Sequence, residues 1–303
     1  MVSVVDPLLL ITNVDAGGGR QEGLDIALGV LREDADVEVA VTTNPGELDG
    51  VLHRAGCRSI VVAGGDGSLH AVVSALHRRH ELAQRTLGLV PLGTGNDFAR
   101  ALGIPLDPGE AAATLLSGKP RAMDLIVDEL GGVVVNSVHA GASAQASRYG
   151  ARWKKRLGPY GIGILGYPIG AAIAAVRPPF VRLRIEADGE VIADMDQHVL
   201  MVAVGNGTSV GGGTEVTPDA DPEDGRLDVM VSLATGPLER LAYAWHLRQA
   251  EHEERRDVVS IRAKQVTISG EDFFLAADGE ISGPERRRSW HIEPGAYSLI
   301  APS

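Results

Sequence analysis

The sequence predicts two domains in succession, an α/β unit over residues 1–123 and a β-rich antiparallel unit over residues 124–303. Three observations predict this. In the first third, short apolar runs alternate with helical patterns, which builds a parallel sheet covered by helices on both faces. Beyond Met123 the apolar runs follow one another across turn residues, the pattern of hairpins in an antiparallel sheet. Between the two lie Gly118, Lys119 and Pro120, a natural joint.

Taken in order, residues 8–12 read as a strand, followed by a loop over 13–19 and a helix carrying Leu24, Ala27, Leu28 and Leu31. Residues 37–41 form a second strand and 47–55 a second helix. A third strand opens at Ser59 and breaks at Gly64, Gly65, Asp66, Gly67 and Ser68, where a helix begins that runs through Leu76. A short strand over 87–90, another glycine loop, and helices over 96–102 and 110–116 complete the unit. The second unit reads as strands over 123–127, 133–136, 181–187, 191–195, 198–204, 227–233, 258–261, 266–268 and 273–276, with one helix over 238–252. Its final strand is free to return to the first unit.

Composition narrows the functional classes. The chain has 303 residues, 38 glycines and a net charge of −12, so a broad basic face for nucleic acid is not expected. Cys57 is the single cysteine, which excludes a disulfide framework and the common zinc spacings. The opening residues Met1 to Asp6 lack a basic stretch before an apolar one and do not read as a signal peptide, so a cytoplasmic location is expected. Residues 157–176 carry no charge and approach spanning length. Pro159 and Pro168 interrupt them, and a buried or interfacial helical element is expected.

The run from Gly64 to Ser68 carries the most chemistry. A strand, a glycine loop and a helix start place unpaired N–H groups close to an anion. The carboxylate of Asp66 within the loop suits phosphate carried with a divalent cation, which suggests a nucleoside triphosphate with magnesium. A second loop, Gly93, Thr94, Gly95, Asn96 and Asp97, repeats the architecture, with Asn96 placed to cap the helix that follows. Alone it reads as a capped helix. Beside the first loop, it lies at the carboxyl edge of the same sheet, where open α/β sheets bind ligands. Near the end, Asp278, Gly279 and Glu280 follow a strand. By themselves they read as a hairpin turn, and with both glycine loops present the catalytic reading is preferred.

Together, residues 64–68 and the stretch from Pro91 to Arg100 resemble the diacylglycerol kinase catalytic-domain family, which includes sphingosine and ceramide kinases and soluble bacterial lipid kinases. Asp124, Asn136 with Ala140 and Gly141, the stretch from Asp224 to Asp228, and Asp278 with Glu280 extend the likeness over nearly the whole chain. The resemblance implies an NAD kinase/diacylglycerol kinase-like α/β nucleotide-binding domain, a β-sandwich-like second domain, and phosphorylation of a lipid hydroxyl, diacylglycerol or a similar lipid, by ATP and Mg2+. It places nucleotide contacts on Asn13, Ala16, Gly17, Thr42, Gly64, Gly65, Asp66, Gly67, Ser68, Gly93, Thr94, Gly95 and Asn96. Asp66, Asp97 and Asp124 become candidates for the catalytic magnesium network. A structural magnesium falls on the Asp224 side chain with the carbonyls of Asp221 and Arg226. Either Asp278 or Glu280 is implied as acceptor of the lipid hydroxyl proton. Some positions depart from the family pattern: Val14 follows Asn13 where proline is usual, Ser68 replaces threonine, and His70 and Ala71 replace Asn-Glu.

A cluster of Arg148, Arg152, Lys154, Lys155 and Arg156 around Trp153 offers a patch for peripheral docking on an anionic membrane. Arg286, Arg287 and Arg288 beside Trp290 offer an alternative. Exposed strand edges permit a homodimer. Two competing readings are an NAD kinase-like enzyme, which shares the first glycine loop, and a nucleotide- or lipid-binding regulator without turnover. The longer second loop speaks against the first, and Asp278 with Glu280 against the second.

Overall fold

The computed structural model of the protein describes residues 8–13, 18–56, 58–142, 144, 145, 148 and 180–302. The expected docking residues Trp153, Lys154, Lys155 and Arg156, the uncharged segment 157–176, and the loop residues Ala16 and Gly17 lie outside these.

The first unit is the expected α/β layer. Strands β1 (Leu8–Asn13), β2 (Val37–Thr42), β3 (Ser59–Gly64) and β4 (Thr86–Pro91) pair in parallel in the order β2-β1-β3-β4. Strands β1, β3 and β4 are buried on both faces, which explains why they read as unbroken apolar runs, whereas β2 at the edge keeps Glu38 and Val41 in water. Leu8 and Leu10 pack with α1 (Gly18–Asp34) and α5 (Pro108–Ser117) on one side. Leu9 and Ile11 pack on the other with α2 (Pro45–Arg54) and α3 (Asp66–Arg78). Local chemistry starts these helices: the Asn44 side chain accepts from the Glu47 N–H at 3.0 Å, and Asp107 accepts from Gly109 and Glu110 ahead of α5.

The second unit is antiparallel throughout its ladders, as expected: β14 (Val258–Ala263), β13 (Leu227–Ser232), β10 (Met201–Gly205), β7 (Ser137–Gly141) and β15 (Gln265–Ala277) lie side by side. The hairpin expected at Asp188 and Gly189 joins β8 (Leu183–Ala187) to β9 (Glu190–Ala193), with positive φ at both turn residues. Three elements differ from expectation. Strand β7 was not anticipated. The two strands foreseen at 266–268 and 273–276 are one bulged strand, β15. The 22-residue strand β16 (Glu280–Ala301) carries three arginines and two prolines, so its apolar pattern is too sparse to read.

Strand β16 joins the halves. It pairs antiparallel with β15 and with β5 (Lys119–Asp128), then ends parallel to β4, setting Ser298 beside Thr86. Tyr297, Leu299 and Ala301 enter the same core as Met123 and the α3 side chains. The fourteen-stranded sheet is therefore continuous across both units.

Candidate active site

Parallel register brings the nucleotide-loop candidates to one edge. Asn13 pairs with Thr42, and Gly64 with Pro91, so β1, β2, β3 and β4 end together. The two glycine loops touch backbone to backbone. A Cβ on Gly93 would lie 2.5 Å from the Gly65 Cα, and one on Gly64 2.4 Å from the Ser68 Oγ. Glycine is required here by close approach, since the φ angles are not unusual. Thr94 is exposed at the tip of the second loop.

Asn96 occupies the cap position of α4 (Asp97–Ala101) in a left-handed conformation, but its side chain does not cap the helix. It closes its own loop, accepting from the Gly93 N–H at 2.9 Å and donating to the Gly93 carbonyl at 3.1 Å. The cap comes from Asp66, whose carboxylate accepts from the N–H groups of Asp97 (3.1 Å) and Phe98 (3.0 Å). One aspartate thus ties the first loop to the second. Burial raises the Asp66 pKa above the usual carboxylate range, the two N–H donors oppose that, and the charges of Asp97 and Asp278 add to it.

Asp97 reaches in the other direction. It accepts from the N–H of Gly213 at 2.7 Å, the N–H of Gly212 at 2.9 Å, and the Ser209 hydroxyl at 3.2 Å. The turn over Gly211, Gly212 and Gly213, all at positive φ, is thereby fastened to the end of the second glycine loop. That contribution was missed, although three consecutive glycines marked the turn.

Asp278 and Gly279 form the hairpin turn between β15 and β16, with φ of 45° and 87° and Ala277 paired to Glu280. The hairpin turn expected from the sequence is present. The Asp278 carboxylate is 1% exposed and accepts from the N–H groups of Val135 (2.7 Å), Asn136 (2.9 Å) and Ser137 (3.1 Å). Its fourth partner is His70 Nδ1 at 2.8 Å, projected from the first turns of α3. Burial is the largest influence on His70 and disfavours its charge. The hydrogen bond to Asp278 and the charges of Asp278 and Glu280 outweigh it, so the pKa lies above the ordinary histidine value. Glu280, one residue past the turn, is exposed, and among the described residues no side chain pairs with it. Behind the turn His139 is buried, with Nε2 3.0 Å from Ser137 Oγ, and burial depresses its pKa to about 4.

Asp124 shares no hydrogen-bond partner with Asp66 or Asp97. Its carboxylate accepts from Gly225 (2.6 Å) and Gly295 (2.8 Å), and its own N–H donates to the Pro222 carbonyl. It fastens the acidic turn to β16. Burial raises its pKa, and the negative charges of Asp224 and Asp221 assist. Within the turn, Asp224 accepts from the Arg226 N–H at 2.9 Å and faces Arg262 at 3.4 Å, while the Asp221 carbonyl accepts from Asp224. Among the described residues no group of three or more His, Cys, Asp or Glu side chains converges as a metal cluster. The alternative basic run is partly neutralised, with Arg286 on Asp272 and Arg288 on Asp128 and Glu285, and Trp290 is in the core.

Two glycine loops that meet at the carboxyl edge of a parallel sheet, tied through His70 to a carboxylate turn, define the class, an enzyme that moves a phosphoryl group from a nucleotide. Residues 7–127 match the diacylglycerol kinase catalytic domain, and residues 136–301 match the YegS C-terminal NAD kinase beta sandwich-like domain. A Stenotrophomonas maltophilia protein named "Probable lipid kinase YegS-like" is 35% identical over 95% of this chain and 90% of its own. The Bacillus subtilis "Diacylglycerol kinase" is 29% identical over 80% and 78%. A crystal structure of a diacylglycerol kinase from Bacillus anthracis Sterne shares the fold, with a TM-score of 0.73, 21% identity, and coverage of 98% and 97%. The chain belongs to the diacylglycerol kinase catalytic-domain family. It is accordingly a lipid kinase, and as a kinase it uses ATP. No helix among the described residues is long and apolar enough to cross a membrane.

Proposed function

We propose that this enzyme transfers the γ-phosphoryl group of ATP to the hydroxyl of diacylglycerol or a similar lipid at a membrane surface. In this reading the phosphates rest on the N–H groups of residues 65–67 and 94–96, at the start of α3, where the helix dipole favours negative charge. Asn13 and Thr42 extend the edge toward the rest of the nucleotide. Glu280 accepts the lipid hydroxyl proton, because its carboxylate is exposed and uncommitted. Asp278 is a positioning residue, since every face of its carboxylate is already used. The observation that carries the assignment is this contrast between two carboxylates two residues apart.

Magnesium would accompany ATP and neutralise phosphate charge. Asp66 and Asp97 would face it through bound water rather than directly, because each already accepts backbone N–H groups. At the second locus Arg262 competes for Asp224, so a cation on Asp221, Asp224 and Arg226 has to displace that pairing.

The test is transfer of labelled phosphate from ATP with magnesium to a panel of lipids. Product from a glycerolipid hydroxyl, abolished in Glu280→Gln, is the expected result. ATP binding without transfer to any lipid overturns the proposal in favour of a regulator.

A further inference from the structure

The helix between β13 and β14, α6 (Pro237–Leu247), is apolar on the side that faces water. Its inner side is fixed. Tyr243 is buried against Met201 and Met230, donates to Met201 Sδ at 3.2 Å, and meets the His252 ring edge-on. Its start is held by Glu239, which accepts from the Gly236 N–H at 2.8 Å. Outward, Leu238 is 81% exposed, Leu241 70% and Trp245 66%. Their spacing of three and four residues puts them on one stripe. They are three of the four most exposed large apolar side chains among the described residues. A water-facing helix has no use for them.

We propose that α6 is a membrane-docking helix whose Leu238, Leu241 and Trp245 enter the headgroup–acyl boundary of a bilayer. The proposal rests on the lipid kinase reading, because a diacyl substrate is delivered in a bilayer. Charge is consistent with insertion rather than adhesion. Across residues 237–256, Glu239, Glu251, Glu253 and Glu254 balance Arg240, Arg248, Arg255 and Arg256. A tryptophan closing an apolar stripe beside exposed Arg248 is the interfacial pattern. The face is also continuous with the site. Ala244, Leu247 and Arg248 line a cavity of about 440 Å³ with Gly213, Thr214 and Glu215, and Gly213 is held by Asp97. A bilayer seated on α6 therefore lies beside the nucleotide edge. A second copy of the chain is a poorer occupant: one face of a helix about 16 Å long falls far short of the roughly 1,200 Å² that a stable interface buries.

The experiment is flotation of the full chain with neutral phosphatidylcholine vesicles carrying diacylglycerol, at low and high salt. The wild type is expected to float with little dependence on salt. Leu238→Ser/Leu241→Ser/Trp245→Ser is expected to lose at least about tenfold in vesicle binding, and Trp245→Ser alone a smaller part of it. Phosphorylation of vesicle-borne diacylglycerol should fall in parallel, with turnover of a water-soluble short-chain diacylglycerol unchanged. Equal flotation of wild type and triple variant overturns the proposal. So does binding that needs anionic lipid and vanishes at high salt, which points to the basic residues around Trp153. So does a wild-type dimer that the triple variant disperses. If vesicle binding separates the proteins but neither phosphorylates any lipid, the docking helix stands and the kinase reading falls.

Discussion

Exchanging Asp278 for asparagine and Glu280 for glutamine should separate positioning from proton transfer. In Asp278→Asn the amide oxygen can still serve Asn136 and Ser137, and His70 can adapt by presenting an unprotonated Nδ1. The amide NH2 then opposes the Val135 N–H, which now donates at 2.7 Å. A hydrogen bond to a charged group contributes about 1.5–3 kcal/mol, and a buried donor left unmet costs about 1–3 kcal/mol. The expected loss is therefore about 2.5–6 kcal/mol. Unfolding entropy near 2.1 cal/mol/K per residue amounts to about 0.6 kcal/mol/K for 303 residues, so Tm should drop by about 4–9 °C. Glu280→Gln alters an exposed side chain and should leave Tm within about 1 °C. Its turnover should fall about 10²–10⁴-fold through loss of the general base, with ATP binding intact. Calorimetry, ATP titration and labelled-phosphate transfer read the three quantities. Near-normal turnover in Glu280→Gln refutes the base assignment, and a Tm for Asp278→Asn equal to wild type refutes the positioning role.

Gly93→Ala drives a methyl group into the Gly65 backbone and should reduce kcat/KM for ATP about 10–100-fold, as steady-state kinetics will show. His139 gives a pH dependence with a definite sign. The unfolded chain takes up its proton near pH 6.5, while the folded chain resists until about pH 4. The unfolded state therefore binds more protons between those values, and stability is lost as pH falls through that window. Urea midpoints at both ends should converge in His139→Gln. Elemental analysis after dialysis should find magnesium retained by the wild type and lost from Asp224→Ala; equal metal content in the two proteins removes Asp224 as a ligand.

Particular residues show what was legible in the sequence. Residues 60–63 could be read as a buried strand and 64–68 as an anion loop, because a strand's apolar run and a glycine break are decided by near neighbours. Strand β7 was not, since Ser137 and His139 belong to it only through pairing with β10 and β15. Strand β16 was hidden because Arg286 and Arg288 find acids on other segments, so polar residues sit in a strand without an alternating pattern. Asp66 and Asp97 were recognised as important, but their acceptor roles depend on N–H groups that no local pattern reveals.

The sequence by itself determined the two architectures, the glycine loops, and the pair of carboxylates near the end. Each of these rests on residue types within a few positions of one another. Only the tertiary structure decided which carboxylate is free. Asp278 is committed by His70, 208 residues away, and by three successive N–H groups at the entry to β7. It also decided that α6 keeps its apolar stripe in water, because exposure is a property of what packs nearby. A hydrogen bond or a burial is made between segments that only folding brings together, and it leaves no trace in local spacing.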